Sequence, residues 1–276
     1  MTTTQDLTLI LGATGTTGGR VARRLAALGV RTRLGSRSAT PAFDWCDEST
    51  WPGVLDGVSA AYLVYYPDLV APGAVETVRR FAQLAATTGT RRLVLLSGRG
   101  EQAARQAEVA VSEVGVQWTV VRAAFFAQNF SEKGFEEFIR AGVVELPAPD
   151  VGEPFVDADD IADVVVAALT EEGHSGQLYE VTGPRLLTFA EAVAEISAAV
   201  GRDVIYRRIP AEQFVDGLVE HGMAREEATV FAEIFSTVLD GRNEYLTDGV
   251  ERALRRSPRD FAEYARDAAA TDIWAS

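Results

Sequence analysis

Short apolar runs alternate with stretches of helical spacing through the first half of the chain. Leu7–Leu11 is a mostly apolar run that predicts a buried strand, and Gly19–Leu28 has the three-to-four-residue apolar spacing of a helix. The further strands predicted in this half are Arg31–Gly35, Ala60–Tyr65, Arg92–Ser97 and Gln117–Arg122, and the further helices are Trp51–Leu55, Val75–Ala86 and Gln102–Val114. Apolar strands separated by helices are typical of a parallel sheet covered on both faces. We therefore predict an α/β fold with a doubly wound parallel sheet.

The second half of the chain is less regular. Its predicted elements are the helices Phe130–Ala141 and Asp157–Leu169, a helix that begins at the capping box Thr188–Glu191 and ends near Val200, and the strands Leu178–Thr182 and Val204–Ile209. Several polar-faced helices fill residues 211–270. We divide the chain into residues 1–130, which form most of the sheet, and residues 131–276. The second part is a smaller, mixed α/β lid region that packs on the sheet and also contributes elements to it.

Composition excludes several classes of protein. The chain has 276 residues, of which 47% are hydrophobic and 24% charged, as in an ordinary globular protein. The net charge of −14 argues against binding to nucleic acid or to anionic membranes, because both need a basic face. No apolar run reaches the ~18 residues of a membrane span, and the first residues carry no basic leader segment. We expect a cytoplasmic protein in which Cys46, the single cysteine, forms no internal disulfide and no metal cluster.

The distribution of charge is more informative than its total. Residues 7–43 contain no Asp or Glu but six arginines, namely Arg20, Arg23, Arg24, Arg31, Arg33 and Arg37. A solvated helix face accounts for the first three. The absence of acidic residues across a strand, a turn, a helix and a second strand favours a bound anionic ligand instead.

A glycine-rich turn lies between the first predicted strand and the first helix. Gly12, Gly15 and Gly18 have the spacing G-x-x-G-x-x-G. Glycines at a strand–helix turn let the backbone approach a pyrophosphate, and the N–H groups at the helix start face the anion. The alternative is a glycine-rich turn without a ligand. The order of strand, loop and helix favours a dinucleotide site of Rossmann type, which assigns cofactor binding to residues 1–130 and substrate binding to 131–276.

The end of the second strand indicates which dinucleotide binds. An NAD site usually carries Asp or Glu about 20 residues past the loop, to bind the ribose 2′-hydroxyl. Here Ser36, Arg37 and Ser38 follow the strand, and a guanidinium suits a 2′-phosphate. We therefore predict NADP(H) as the cofactor. Asp44 and Trp45 come next and suit the adenine, with core packing of Trp45 as the alternative.

The chain lacks the Tyr-x-x-x-Lys pair with which short-chain dehydrogenases donate a proton. Lys133 is its one lysine, and the residue four positions earlier is Asn129. His174 and His221 are its two histidines, and their polar surroundings predict solvent exposure rather than catalysis. We therefore predict no catalytic side chain and no metal site. The cofactor and its positioning then supply the chemistry, which favours acceptors such as an iminium, a quinone or an enone.

Several short stretches resemble the NmrA-like branch of the atypical short-chain dehydrogenases. They are Leu9–Gly15, Phe43–Trp45, Leu95–Ser97, Trp118–Arg122, Phe125–Phe130 and Phe155–Ala162. Within that branch, the segments around Asp44, Thr50 and Tyr62 are similar to the ergot-alkaloid-type reductases. The resemblance implies an NADPH-dependent reductase acting on a small molecule in secondary metabolism. A non-catalytic NADP-sensing regulator and a redox-neutral enzyme that uses the same cleft are the alternatives, and a homodimer is left open.

The resemblance also implies a set of site residues. Those that hold the pyrophosphate are Gly12, Thr14, Gly15, Thr16, Thr17 and Gly18. Those that contact the rest of the cofactor are Arg37 at the 2′-phosphate, Asp44 and Trp45 near the adenine, and Tyr65, Tyr66 and Pro67 along its length. Those that surround the nicotinamide and the substrate are Ser97, Gly98, Phe125, Phe126 and Asn129. The usual Arg-Pro after the fifth strand is Arg122-Ala123 here, so the substrate stays unassigned.

Overall fold

The structure is a computed structural model that describes residues 6–132 and 134–275. The strands in these residues are β1 (Leu7–Leu11), β2 (Arg31–Gly35), β3 (Val58–Leu63), β4 (Arg92–Gly98), β5 (Gln117–Ala123), β6 (Val143–Leu146), β7 (Gln177–Val181) and β8 (Ile205–Arg208). The helices are α1 (Thr16–Ala27), α2 (Trp51–Leu55), α3 (Ala74–Thr87), α4 (Gln102–Ser112), α5 (Asn129–Glu132), α6 (Phe135–Ala141), α7 (Ala158–Thr170), α8 (Phe189–Val200), α9 (Ala211–Glu220), α10 (Arg225–Thr237), α11 (Gly249–Leu254) and α12 (Phe261–Ala269). None of the described helices is long and apolar enough to cross a bilayer.

Six strands form one parallel sheet in the order β2-β1-β3-β4-β5-β7. The central strands are buried along almost their whole length because helices cover both faces, which confirms the predicted doubly wound sheet. The chain passes from β1 to β2 on one side and then returns to place β3 on the other. In open α/β sheets, ligands bind at the carboxyl ends of the strands where the strand order reverses in this way.

The chain forms two compact units. The first comprises residues 1–123, 158–181 and 248–257, and contains the six-stranded sheet. The second comprises residues 124–157, 182–247 and 258–276, and contains the two-stranded parallel sheet β6-β8. Two segments from beyond residue 130 thus belong to the first unit. The predicted assignment of cofactor binding to residues 1–130 and substrate binding to 131–276 stays a prediction.

Ion pairs join two helices of the first unit. Arg24 on α1 donates to Asp159 and to Asp163 on α7, each at 2.6 Å, and Arg20 lies 3.3 Å from Asp159. Arg33 on β2 donates to the carbonyl oxygens of residues 54 and 56, at 2.8 and 2.6 Å. The interpretation of Arg20 and Arg24 as a solvated helix face is therefore wrong, since acidic residues from far along the chain neutralise them.

The second unit is built around aromatic side chains. Phe130, Phe155 and Phe189 are almost fully buried, with ring centroids 5.1 to 5.7 Å apart. The indole of Trp274 donates to the carbonyl of Phe130 at 2.8 Å. Where the sequence predicts one helix over Phe130–Ala141, the structure has α5 and α6, and Gly134 adopts a φ of 100° just before α6.

Candidate functional site

The glycine loop connects β1 to α1 at the carboxyl edge of the sheet. Gly12 has a φ of +65°, and a Cβ there would lie 3.2 Å from the Cβ of Val64. The N–H of Gly15 donates to the carbonyl of Gly12 at 2.9 Å and closes the turn. A Cβ on Gly18 would lie 2.2 Å from the carbonyl oxygen of Gly12, so α1 can approach the loop this closely only with glycine at position 18. The loop is therefore shaped by close backbone packing, as in dinucleotide-binding turns.

The first turn of α1 suits an anion. Gly15 is the N-cap, no described side chain caps the helix, and the turn contains no acidic residue. Thr14 is exposed and Thr16 is half-buried beside these N–H groups. Because the N–H groups at a helix start carry partial positive charge, this arrangement fits a pyrophosphate.

Thr17 connects α1 to the sheet. The hydroxyl of Tyr62 on β3 donates to the Thr17 hydroxyl oxygen at 3.0 Å, and both side chains are buried. Burial raises the pKa of Tyr62 well above its ordinary value, so its hydroxyl stays protonated and keeps this bond. The backbone N–H of Thr17 remains the group by which it would meet a phosphate, and that contact stays a prediction.

The strand order places two predicted cofactor segments on opposite sides of the loop. Strands β2 and β3 flank β1, and the residues that follow parallel strands meet at one edge of the sheet. Arg37 follows β2, is exposed, and has no ion-pair partner among the residues that the structure describes. Tyr65, Tyr66 and Pro67 follow β3, with Tyr66 75% exposed. The predicted contacts of these residues with the cofactor stay predictions.

Trp45 is part of the core of the first unit. Only 8% of it is exposed, its ring packs edge-on against Phe43 and Phe81 at 5.0 and 5.1 Å, and its indole N–H donates to the carbonyl of Val64 at 3.0 Å. The structure therefore shows Trp45 packed in the core, which is the alternative considered from the sequence. Asp44 is half-buried and accepts the Cys46 N–H at 2.9 Å. Contact of Asp44 and Trp45 with the adenine stays a prediction.

A buried ionic network crosses the carboxyl ends of β4, β5 and β7. Ser97 donates its hydroxyl to Glu108 at 2.5 Å, and Arg122 donates to the two oxygens of Glu108 at 2.9 and 2.5 Å. Arg122 also donates to Glu180 at 3.1 Å, and Glu180 accepts from Arg99 at 2.8 Å. The Glu108 carboxylate raises the pKa of Arg122, so the guanidinium stays charged. The network fixes the position of Ser97, whose predicted role beside the substrate stays a prediction.

Glu101 is a residue that sequence reasoning missed. It precedes α4, and its carboxylate lies over Gly98, where a Cβ would stand 2.6 Å from Glu101 Oε2. Burial, with a smaller contribution from the charge of Asp68, raises the pKa of Glu101 to about 7. The prediction of no catalytic side chain stays a prediction. Position 101 carries no motif from which the raised pKa could be found, since the effect depends on the fold.

The other predicted substrate residues lie in the second unit. Phe125 packs edge-on against Phe189 and Phe155, with centroids 5.5 and 5.9 Å apart, and its N–H donates to Glu153 at 3.1 Å. Phe126 is half-buried, and its carbonyl accepts the N–H of Asn129 at 3.1 Å. Phe125, Phe126 and Asn129 thus belong to the second unit, whereas Ser97 and Gly98 belong to the first. Their contact with a substrate stays a prediction.

The two histidines differ from each other. His174 is buried and its Nδ1 lies 2.8 Å from the Tyr179 hydroxyl, so its predicted solvent exposure is wrong because a tertiary partner satisfies the ring. His221 is exposed, as predicted, with Nδ1 2.8 Å from the carbonyl of Gly217. Lys133 lies outside the described residues.

Comparison with known proteins identifies the family. The model of the NmrA-like family matches residues 104–265, which is more than half of the chain. The chain belongs to the NmrA-like family. The resemblance expected from the sequence is thereby confirmed, including its ergot-alkaloid branch, because an agroclavine dehydrogenase is among the relatives described next.

Relatives of this NmrA-like chain match along nearly its whole length. Agroclavine dehydrogenase of Claviceps fusiformis is 31% identical, over 94% of this chain and 96% of that protein. NAD(P)H azoreductase of Xenophilus azovorans is 31% identical, over 95% of this chain and 98% of that protein. The structure of Citrobacter sp. triphenylmethane reductase complexed with NADP(H) superimposes with a TM-score of 0.77 at 19% identity, covering 95% of this chain and 99% of that one. The last likeness supports the Rossmann-type fold.

Proposed function

We propose that the protein is an NADPH-dependent reductase that transfers hydride to an electrophilic, apolar small molecule such as an iminium, a quinone or an enone. The observation that carries the proposal is the glycine loop. A side chain would be strained at Gly12 and would clash with backbone at Gly18, and no described side chain caps the helix start, which is free of acidic residues. Names of the relatives agree with a redox function, since one is a dehydrogenase and another an NAD(P)H azoreductase.

The preference for NADPH over NADH rests on the end of β2. Arg37 stands there with an exposed guanidinium that no described carboxylate occupies, and no Asp or Glu is present between residues 7 and 43. Ser36 and Ser38 precede and follow Arg37 in the chain, and their hydroxyl oxygens lie 3.3 Å from each other. A guanidinium with neighbouring hydroxyls suits a phosphate monoester, whereas a ribose diol is bound by a carboxylate.

The residues present fit a pyridine dinucleotide. The backbone of the loop from Gly12 to Gly18 would hold the pyrophosphate, and Arg37 the 2′-phosphate. Bound NADPH supplies a hydride. The protein would orient the cofactor at the carboxyl edge of the sheet and keep the loop rigid. A Tyr-x-x-x-Lys pair takes no part, since Lys133 is the chain's one lysine and Asn129 stands four residues before it.

The test of the cofactor assignment is Arg37→Ala. Loss of a charged phosphate contact costs about 1.5–3 kcal/mol, which weakens binding of NADPH roughly 10- to 100-fold. The affinity for NADH should be almost unchanged. Calorimetric titration of both dinucleotides measures this, with the exposed Arg23→Ala as a matched control that should bind like the wild type. Equal loss for both dinucleotides, or no loss for either, contradicts a 2′-phosphate role.

The test of the reaction is loss of NADPH absorbance in stopped-flow with a panel of iminium, quinone and enone acceptors. Turnover of at least one class is expected. Binding of NADPH without turnover on any of them would refute the reductase proposal and favour the NADP-sensing regulator. Conversion of a candidate substrate at unchanged NADPH absorbance would favour the redox-neutral enzyme.

A further inference from the structure

The carboxylate of Glu101 lies beside Gly98 at the carboxyl end of β4. Its carboxylate bends back over the last residue of β4, so that a Cβ on Gly98 would stand 2.6 Å from Oε2 and 3.1 Å from Cδ. A side chain at position 98 would therefore displace the carboxylate. The Glu101 carboxylate therefore lies against the backbone at the carboxyl end of β4, where glycine at position 98 leaves room for it.

The surroundings of Glu101 disfavour its ionised form. The side chain is half-buried, and no described Arg or His lies within ion-pair distance of it. Arg99, two residues earlier, is paired with Glu180. On α4, the backbone N–H of Arg105 donates to the Glu101 carbonyl, while its side chain is exposed. The charge that acts on the carboxylate is that of Asp68, from the segment after β3. With burial, this like charge raises the pKa of Glu101 to about 7, so protonated and ionised forms coexist at neutral pH.

The position of Glu101 coincides with the edge where the cofactor is proposed to bind. Gly98 ends β4, which is the neighbour of β3 in the sheet, and β3 leads into Tyr65, Tyr66 and Pro67. Parallel strands bring these ends together in the first unit. An acid that is half-protonated at neutral pH and lies at this edge is suited to proton transfer.

We propose that Glu101 is the catalytic acid that protonates the reduced acceptor when that acceptor is a neutral quinone or enone, whereas reduction of an iminium ion does not use it. The inference rests on the proposed function. Hydride addition moves an electron pair of the acceptor onto its oxygen. The O–H bond of Glu101 breaks, a new O–H bond forms on the acceptor, and the Glu101 carboxylate takes a proton back from water. An iminium ion gains its hydride and becomes a neutral amine with no proton needed.

The direct experiment is a titration of the cofactor-free protein. Carbon-13 NMR of labelled glutamate carboxyls should show one group with a midpoint near pH 7 that is absent from Glu101→Gln. In Asp68→Asn the same group should titrate at lower pH, because the like charge is gone. If no carboxyl that disappears in Glu101→Gln titrates above pH 6, the proposal is overturned.

The kinetic experiment compares a quinone with an iminium acceptor in single turnovers. General acids contribute roughly 10²–10⁴-fold, so Glu101→Gln should slow quinone reduction at least 100-fold and change iminium reduction less than threefold. With the quinone, the wild-type rate should fall as pH rises through about 7, because the acid must be protonated, and the variant should show no such fall. If Glu101→Gln slows the reduction of both acceptors equally, or slows neither reaction, the assignment is overturned.

Binding of NADPH separates failure of this inference from failure of the proposed function. Glu101→Gln should bind NADPH within about twofold of the wild type, since the residue lies outside the phosphate-binding loop. A wild-type protein that binds no dinucleotide, or reduces no acceptor, refutes the reductase and the acid together. If the wild type reduces both acceptors and Glu101→Gln reduces both at the wild-type rates, only the proposed role of Glu101 is refuted.

Discussion

The contact between Gly18 and Gly12 allows a sharp test of both the fold and the site. Replacing Gly18 by alanine would place a Cβ 2.2 Å from the Gly12 carbonyl oxygen, 2.7 Å from its carbon and 3.1 Å from the Cα of Ala13. All three are backbone atoms, so no flexible side chain can move aside. The first turn of α1 must therefore shift by about 1 Å away from the loop to restore an ordinary contact distance near 3.4 Å.

The expected cost follows from two opposing effects. Overpacking of a tight contact costs about 1–3 kcal/mol, whereas alanine in place of glycine gains up to about 1 kcal/mol of helix propensity. We expect Gly18→Ala to lower the free energy of unfolding by about 1–2 kcal/mol. Because the shift moves the N–H groups that would face the pyrophosphate, NADPH binding should weaken at least tenfold, which corresponds to about 1.4 kcal/mol.

Urea denaturation and calorimetric titration with NADPH measure these two effects. Gly217→Ala is the matched control, because Gly217 lies inside α9 and a Cβ there meets nothing within 4 Å. That variant should be more stable than the wild type by about 0.5–1 kcal/mol, with unchanged NADPH affinity. If Gly18→Ala equals the wild type in stability and in affinity, the close approach of α1 to the loop does not hold the site.

Two stability predictions concern the ion pairs. Arg122→Ala should lower the free energy of unfolding, measured by urea denaturation, by about 3 kcal/mol, because it leaves Glu108 buried without its cation. The control Arg225→Ala removes an exposed ion pair and should lower it by under about 1 kcal/mol. Equal losses in the two variants would contradict the role of burial. The hydrogen bonds from Arg185 lower the pKa of Asp260, so its contribution is present above the unfolded pKa of about 3.9 and is lost as the pH falls below it. Asp260→Asn should therefore lower the free energy of unfolding at pH 6 by under about 1 kcal/mol for this exposed pair, and this loss should shrink as the pH falls below about 3.9. Urea denaturation at several pH values measures it, and a loss that does not change with pH would refute the linkage.

The main sheet could be predicted from sequence because its signals are local. β1 and β2 have their predicted bounds. Gly12 follows the last residue of β1 and Gly35 is the last residue of β2, so a glycine marks the end of each strand in the sequence. β3 spans Val58–Leu63 rather than the predicted Ala60–Tyr65. The aromatic pair Tyr65-Tyr66 favours a strand by propensity, but pairing with β4 ends at Leu63 and Leu95, and the chain leaves the sheet there.

The elements that the sequence did not predict depend on distant partners. β6 (Val143–Leu146) was not predicted, because a four-residue strand is stabilised by pairing and its partner β8 lies about 60 residues later. The two helices α5 and α6 were predicted as one because apolar spacing continues past Gly134, whose φ of 100° is set by the fold.

The candidate site shows the same division between local and distant signals. The glycine loop was predictable because spacing and context within seven residues define it. The raised pKa of the acid at position 101 was not, because it depends on burial of the side chain by the fold and on the charge of Asp68 from another loop. Likewise Ser97 is held by Glu108 and Arg122, which come from a helix and a different strand. A sequence motif can therefore reveal where the backbone binds a phosphate. The groups that shift the pKa of an acid come from different parts of the chain, and they have to be sought in the structure, at the ends of neighbouring strands.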